Sequence, residues 1–323
     1  MIELTGGSRA GSVSAPPTRW DYFADRAFRG AARGAAWLIV LLLAFLLYSI
    51  GAKAWVGMRT HGVGFLIGST WDVGRQQFGI LPHIWGTLYS SLLALTIGGF
   101  FGVVMAIFLT QDFLPPRLAQ VFRVIVELLA AIPSVVYGLW GLFVVVPAMR
   151  PIADALHAHF GFIPLFGSTL SGPGMAPAAL VLAIMILPTV AAVSQDALRL
   201  VPYKVKEAAY GLGTTRWEAI LKVMLPAAST GIFGALVLGF GRALGETMAL
   251  AMLIGNSNQI SLSLFSPGNT LAALLALNFP EAGAREVQVL MFAALVLLSI
   301  TLIVNVIGDL IMARSARRAG ARA

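Results

Sequence analysis

Six long apolar stretches constrain the fold of this chain more than any other feature of its sequence. They cover residues 35–55, 86–110, 122–147, 176–195, 228–253 and 286–312. A helix of about 20 residues crosses the hydrocarbon core of a bilayer, and each stretch meets or approaches that length. Hydrophobic residues make up 58% of the 323 residues and charged residues only 11%, whereas a soluble domain has roughly 25% charged residues. We therefore expect an all-α integral membrane protein with six transmembrane helices.

The distribution of lysine and arginine predicts which ends of these helices face the cytoplasm. With the N-terminus inside, the inner segments carry 16 of the 22 basic residues and the outer segments carry 5. The inner segments are then 1–34, 111–123, 196–227 and 313–323. This bias is the positive-inside signal of membrane proteins, so the net charge of +8 does not call for a nucleic-acid partner. We expect a membrane domain at 35–312 between two cytoplasmic tails, 1–34 and 313–323.

The N-terminal tail contains one segment with helical periodicity. Thr18 and Asp21 fit a capping box, and Trp20 and Phe23 begin an apolar face. This pattern predicts a helix that lies on the inner leaflet. A solvated basic tail is the alternative.

The basic loop between the fourth and fifth apolar stretches has signals for two short helices. Gly211 or Gly213 can end the first helix in the left-handed conformation. Thr215 and Glu218 form a second capping box, and apolar residues follow it at helical spacing. We predict two short helices joined by a glycine turn, of which the second must bury its apolar face.

The first of these helices has a composition suited to contact with another protein. Ala208 and Ala209 would let a partner surface come close, beside the charges of Lys204, Lys206 and Glu207. The pattern E-A-A-x3-G-x9-[IV]-x-L-P resembles the EAA loop of ABC importer permeases, with valine where isoleucine is usual. It is met by Glu207, Ala208, Ala209, Gly213, Val223, Leu225 and Pro226. The resemblance implies that this cytoplasmic loop couples the chain to an ATPase subunit.

Two ionisable residues lie inside the fifth apolar stretch. Arg242 and Glu246 share a predicted helical stripe with the small residues Ala235, Gly239 and Ala249. An ionisable side chain at membrane depth is costly to insert and marks a functional site by default. Arg242 and Glu246 are four residues apart and are expected to pair. The pair is either a structural clamp between helices or a site at which the guanidinium binds a passing anion.

Glu127 is the other acidic residue near a predicted membrane helix. Arg123 precedes it by four residues, which favours an ion pair at the cytoplasmic boundary. The alternative interpretations place Glu127 in the clamp or on a secondary part of the translocation pathway. Pro133 is expected to kink the same helix.

The outer loops offer little chemistry. His157 and His159 have a spacing that could bind a metal, but only Asp154 accompanies them, so an ordinary polar loop is favoured. The loop 254–285 contains an apolar stretch at 271–277 and is expected to lie on the membrane or partly re-enter it. The sequence has no cysteine and no P-loop. No nucleophile–base pair or metal cluster favours an enzyme.

Three motifs narrow the family. They are I-P-S-V-V-Y-G-L-W-G at 132–141, G-R-A-L-G-E-T-M-A at 241–249 and S-P-G-N-T-L-A at 266–272. They resemble the phosphate ABC-importer permeases, the Pst C-type subunit rather than the A-type, over about residues 35–312. The resemblance implies that Arg242 and Glu246 act in phosphate translocation.

The same resemblance implies a multi-subunit complex in a bacterial inner membrane. Its other members would be a Pst A-type permease, two cytoplasmic ATPase subunits and a periplasmic phosphate-binding protein. ATP and magnesium would be used by the ATPase subunits, and no cofactor is expected on this chain. The alternatives are the same architecture importing molybdate or sulfate, and a stand-alone secondary anion transporter, which would have no use for an EAA loop.

Overall fold

The computed structural model describes residues 18–111 and 113–320, apart from the side chains of 315–320. Its α-helices are α1 (Arg19–His61), α2 (Gly64–Ile67), α3 (Leu81–Thr110), α4 (Pro116–Ala131), α5 (Ser134–Trp140), α6 (Val146–Phe160), α7 (Met175–Arg199), α8 (Tyr203–Gly211), α9 (Arg216–Glu218), α10 (Leu225–Leu244), α11 (Met248–Leu253), α12 (Leu271–Asn278) and α13 (Ala284–Gly320). Strands β1 (Trp71–Asp72) and β2 (Gln77–Phe78) form an antiparallel hairpin. Two π-helical turns, Gly141–Val145 and Ala219–Met224, join α5 to α6 and α9 to α10.

Six helical segments of the described chain are long and apolar enough to cross a membrane, which confirms the predicted number. They are Arg19–His61, Leu81–Thr110, Ser134–Phe160, Met175–Arg199, Arg216–Leu244 and Ala284–Arg314. Four of them contain or overlap the predicted stretches with little change in position. The third and the fifth differ.

The third span starts later than predicted because Pro133 breaks the helix instead of kinking it. Helix α4 ends at Ala131, and Ile132 and Pro133 are both extended, with ψ of 127° and 142°. Proline disfavours helical geometry at the residue before it, since its ring crowds that backbone. The predicted span 122–147 is therefore wrong in its bounds, and the long apolar helical segment is Ser134–Phe160.

The chain consists of two compact units, one up to Ala52 and one from Lys53 onward. The first unit contains most of α1, and the capping box predicted for it is present. The Thr18 amide donates to Asp21 Oδ2 at 2.7 Å, and the Asp21 amide donates to Thr18 Oγ1 at 3.3 Å. The segment predicted as a separate interfacial helix is the beginning of α1. Residues 1–17 of the predicted tail lie outside the described residues.

The second unit is built around the close packing of α3 on α7. A Cβ atom at Gly98 would lie 2.5 Å from the Ala183 carbonyl oxygen, and one at Gly102 would lie 2.9 Å from Val190 side-chain atoms. Glycine is required at both positions because only a hydrogen atom fits between the two backbones. Helix α7 is consequently the most buried of the candidate spans.

The segment between α11 and α13 folds back into this unit. The Gly268 amide donates to the Ile254 carbonyl at 2.8 Å, and the Leu271 amide donates to Thr87 Oγ1 of α3 at 2.9 Å. Leu271 and Leu274 of α12 are fully buried in a cluster with residues of α13. Irregular backbone at membrane depth is tolerated when it is enclosed by protein, so this packing suits the predicted partial re-entry.

Candidate translocation site and coupling surface

Arg242 lies near the C-terminal end of α10 and reaches across to α7. Its Nη1 donates a hydrogen bond of 3.2 Å to Thr189 Oγ1. The two helices can approach because Gly239, one turn before Arg242, has no side chain. A Cβ there would lie 2.7 Å from Val190 Cγ2. The Arg242 side chain is otherwise exposed, so most of its five N–H donors are available to another group.

Glu246 does not continue the helix that carries Arg242. Helix α10 ends at Leu244, Gly245 is its C-cap, and a new helix begins at Met248. Within the described residues no ion pair joins Arg242 to Glu246, and the predicted pairing is wrong. The expectation required an unbroken helix, since only there does a spacing of four place two side chains side by side. The Glu246 carboxylate instead accepts from the Ala249 amide at 3.4 Å.

Glu127 is likewise separate from its expected partner. It lies exposed on α4, and Arg123 donates to Gln120 Oε1 at 3.4 Å. In the part of the chain that is described, neither Arg123 nor Arg242 forms an ion pair with Glu127. The boundary ion pair was therefore wrongly predicted.

Two residues near these sites were not identified from the sequence. Thr189 holds the guanidinium of Arg242, and Tyr137 donates its hydroxyl hydrogen to the Leu129 carbonyl at 2.9 Å across the break at Pro133. Thr189 could have been found from the sequence, because a hydroxyl inside an apolar stretch needs a hydrogen-bond partner. The role of Tyr137 depends on a break that was not expected.

The loop that follows α7, which was predicted to be cytoplasmic and is called the coupling loop below, forms the predicted glycine turn. Helix α8 begins after Pro202, and the chain turns at Gly213, which has φ of +81°. Thr214 closes the turn through its amide and its hydroxyl, which both donate to the Ala209 carbonyl, at 3.3 Å and 2.8 Å. Thr215 then starts the next helix with the predicted capping box.

Fewer residues of α8 are exposed than the sequence suggested. Glu207 and Ala208 are exposed, whereas Ala209 is 4% exposed and faces the rest of the chain. Ala209 therefore supports the loop from inside, and its side chain is not available for contact with another protein. Leu212, at 86% exposed, extends the apolar part of this surface.

The second helix of the loop is not a separate element. From Arg216 the chain is helical through α9, the π turn and α10 to Leu244. Ile220 is buried with residues of α3 and α7, Leu225 packs partly against the same cluster, and Pro226 is exposed. The apolar face thus buries against this chain itself, while Trp217 remains half exposed.

Arg216 fixes the start of this long helix to the end of α3. Its Nη2 donates to the Gln111 carbonyl at 2.6 Å, and its guanidinium carbon lies 4.4 Å from the centre of the Phe113 ring. Trp217 also packs against Phe113, and the centres of the two rings are 5.0 Å apart. A hydrogen bond from a charged donor and a cation–π contact together hold the coupling loop against the bundle.

The two histidines of α6 have structural roles. His157 and His159 lie on α6, and their Nδ1 atoms are 2.7 Å and 2.8 Å from the carbonyls of Phe166 and Ala155. Among the described residues no group of three metal-ligating side chains occurs.

Comparison with known proteins identifies the family. Residues 98–320 match the model of the binding-protein-dependent transport system inner membrane component. The chain is 41% identical to the phosphate transport system permease protein PstC of Pasteurella multocida, over 91% of this chain and 93% of that protein. It is 39% identical to the PstC protein of Mesorhizobium japonicum, over 92% of each.

A solved structure supports the fold. The chain resembles a bacterial ABC transporter involved in the import of the acidic polysaccharide alginate, with a TM-score of 0.56 at 15% identity, over 90% of this chain and 99% of that one. The chain therefore belongs to the family of binding-protein-dependent transport system inner membrane components, as a multi-pass transport subunit rather than an enzyme, and within that family to the PstC permeases.

Proposed function

We propose that this chain is the C-type permease subunit of an ATP-driven importer of inorganic phosphate. The observation that carries the proposal is the identity of about 40% to PstC proteins over some nine-tenths of the chain. Members of the family work with ATPase and binding-protein subunits. The partners would be a Pst A-type permease, two cytoplasmic ATPase subunits and a periplasmic phosphate-binding protein, with ATP and magnesium bound by the ATPases.

Arg242 would supply the positive charge that an oxyanion meets inside the membrane. Thr189 occupies one of its nitrogen atoms, and the remaining donors of the planar guanidinium suit the oxygen atoms of phosphate. No carboxylate in the described chain neutralises Arg242, which supports an anion as its partner. Glu246 lies two residues beyond the end of α10, where its negative charge would weaken the hold on the anion and assist release.

The exposed residues of the EAA loop would receive the push of the ATPase. Glu207 and Ala208 offer the contact, while Ala209 and Gly213 keep the loop in shape. Leu225 lies in the helix that continues toward Arg242, and Pro226 adjoins it. Among the described residues Glu127 forms no ion pair with Arg242, and a secondary pathway role for it rests on its position near a span alone.

Uptake of labelled phosphate by the whole complex in vesicles tests the proposal. Arg242→Gln should lower ATP-dependent uptake roughly ten- to a hundredfold at phosphate concentrations below the wild-type KM while the complex still assembles, because loss of a charged hydrogen-bond donor costs about 1.5–3 kcal/mol of binding free energy. Arg242→Lys should retain part of the activity. Arg29→Gln is the matched control, since Arg29 is an exposed arginine at the start of α1 that bonds only to Asp25 among the described residues.

Three results would contradict the proposal in different ways. Unchanged uptake by Arg242→Gln would remove the arginine from the pathway, and failed assembly would favour the clamp. Equal competition by sulfate or molybdate would favour another oxyanion. Phosphate flux through this chain without ATPase subunits would favour a secondary transporter.

A further inference from the structure

A groove of about 700 Å³ lies between the end of α1, the β hairpin and the start of α13. Its walls combine apolar residues, such as Val56 and Val289, with polar and charged ones. Next to the groove, Gly57 allows α1 to approach α13 closely, since an added Cβ would lie 2.9 Å from the Gln288 carbonyl oxygen. This volume falls within the roughly 300–1,000 Å³ of small-molecule sites.

Glu286 is the unusual residue of this groove. It is only 9% exposed and lines the cavity. Throughout the described residues, no hydrogen bond or ion pair reaches its carboxylate. Most of the side chain is covered, but its carboxylate faces the cavity and receives no donor from the described residues. A group that brings N–H donors and positive charge would therefore complement it.

Arg285 gives the groove a second charge of opposite sign. Its Nη1 donates to Gln76 Oε1 of the hairpin at 3.2 Å, which holds the side chain beside the cavity and leaves its other donors free to bind an anion. A cationic residue and an anionic residue thus lie next to each other on one helix turn. A ligand with an anionic and a cationic group a few atoms apart matches this pair.

The surroundings place the groove at the membrane–water interface. Helices α1 and α13 are both candidate spans, and one ends and the other begins at the groove. Trp55 is half exposed, and the Arg59 guanidinium carbon lies 4.8 Å from the centre of its ring. Exposed tryptophan beside a basic residue at the end of an apolar helix is typical of the headgroup level of a bilayer.

We propose that this groove binds the headgroup of a zwitterionic phospholipid that has a primary ammonium, with the ammonium on Glu286 and the phosphate on Arg285. The apolar walls would contact the first carbons of the lipid. An ethanolamine headgroup fits, because its ammonium donates hydrogen bonds to a carboxylate. A choline headgroup has the same charges but no N–H donor. The proposal is independent of the transported substrate.

Lipid retention by the full complex tests this inference. Nanodiscs with equal amounts of phosphatidylethanolamine and phosphatidylcholine are delipidated stepwise, and the lipids that remain bound are identified by mass spectrometry. The wild type should enrich the ethanolamine lipid by about tenfold, as expected for one hydrogen bond to a charged group. Glu286→Gln should bring the ratio close to one. Arg285→Gln should weaken the retention of both lipids alike.

Glu281→Gln is the matched control. Glu281 is an exposed acid five residues before Glu286 that does not line the groove, so the same loss of charge should leave the enrichment unchanged. Enrichment that persists in Glu286→Gln, or that is absent from the wild type, would overturn the proposal. So would a carbodiimide cross-link from Glu286 to a lysine of a co-purifying subunit, because the groove would then be a protein interface.

Discussion

The turn at Gly213 permits a test in which only the backbone conformation differs between two substitutions. Gly211 and Gly213 are both exposed, and a Cβ added at either would meet nothing within 4 Å. Gly211 is the last residue of α8, whereas Gly213 has φ of +81°. Alanine at Gly211 should stabilise the loop by about 0.5–1 kcal/mol, because glycine loses more conformational entropy in a helix. Alanine at Gly213 should destabilise it by about 1–2 kcal/mol, the cost of the left-handed region for a residue with a Cβ.

Amide hydrogen exchange of the loop measures this difference. The amides of Leu212, Gly213 and Thr214 donate to the carbonyls of α8 at 3.1 Å, 2.9 Å and 3.3 Å, so their exchange reports opening of the turn. Gly213→Ala should speed it roughly 5- to 30-fold, since 1–2 kcal/mol corresponds to that factor. Gly211→Ala should slow it. Equal effects of the two substitutions would refute the argument, because contacts of the added methyl group would then matter more than φ.

Three further predictions concern the coupling loop and the arginine site. Thr215→Ala removes the cap of the long helix and should destabilise its first turn by about 1 kcal/mol, seen as faster exchange there, and Thr215→Ser should restore protection. Thr189→Val should raise the phosphate KM about fivefold with unchanged protein levels, because Arg242 loses its positioning contact; equal transport by Thr189→Val and Thr189→Ser would contradict this. In the isolated chain Ala208→Cys should react quickly with a maleimide and Ala209→Cys slowly, and equal rates would contradict the burial of Ala209.

Features that depend on a few neighbouring residues were predictable from the sequence. The capping boxes at Thr18 and Thr215 and the left-handed glycine at Gly213 each follow from residue types within one turn. The number of spans follows from the length of the apolar runs. These features form correctly because no distant contact opposes them.

The predictions fail at the site because the fifth helix ends earlier than its apolar run. Gly245 and Thr247 are ordinary signals for the end of one helix and the start of another, whereas the apolar run 228–253 predicts one continuous helix. The expected Arg242–Glu246 pair depends on that continuous helix. The same error occurs at Pro133. The apolar run continues through this helix-breaking proline, so the predicted third span begins about a dozen residues before the observed one.

Burial by distant segments could not have been predicted. Ala209 faces inward because α8 packs against the later π turn Ala219–Met224, and Glu286 lies in a groove formed with the end of α1 and the hairpin. Nothing near Glu286 in the sequence distinguishes it from the exposed Glu281. Only the tertiary packing leaves Glu281 on the surface and covers most of the Glu286 side chain.

The π-helical turn Ala219–Met224 explains how one helix joins the coupling loop to Arg242. Pro226 has no amide hydrogen to donate to the carbonyl of Lys222, and its ring crowds that carbonyl, which normally kinks a helix. Lys222 lies inside the wider π turn Ala219–Met224. In such a turn the backbone hydrogen bonds join residues five apart instead of four, which relieves the crowding. Pro147 stands in the same relation to the turn Gly141–Val145. Because the helix from Arg216 to Leu244 is therefore unbroken, a displacement of its first turn would reach Arg242 along one rigid element, without crossing a loop that could absorb it.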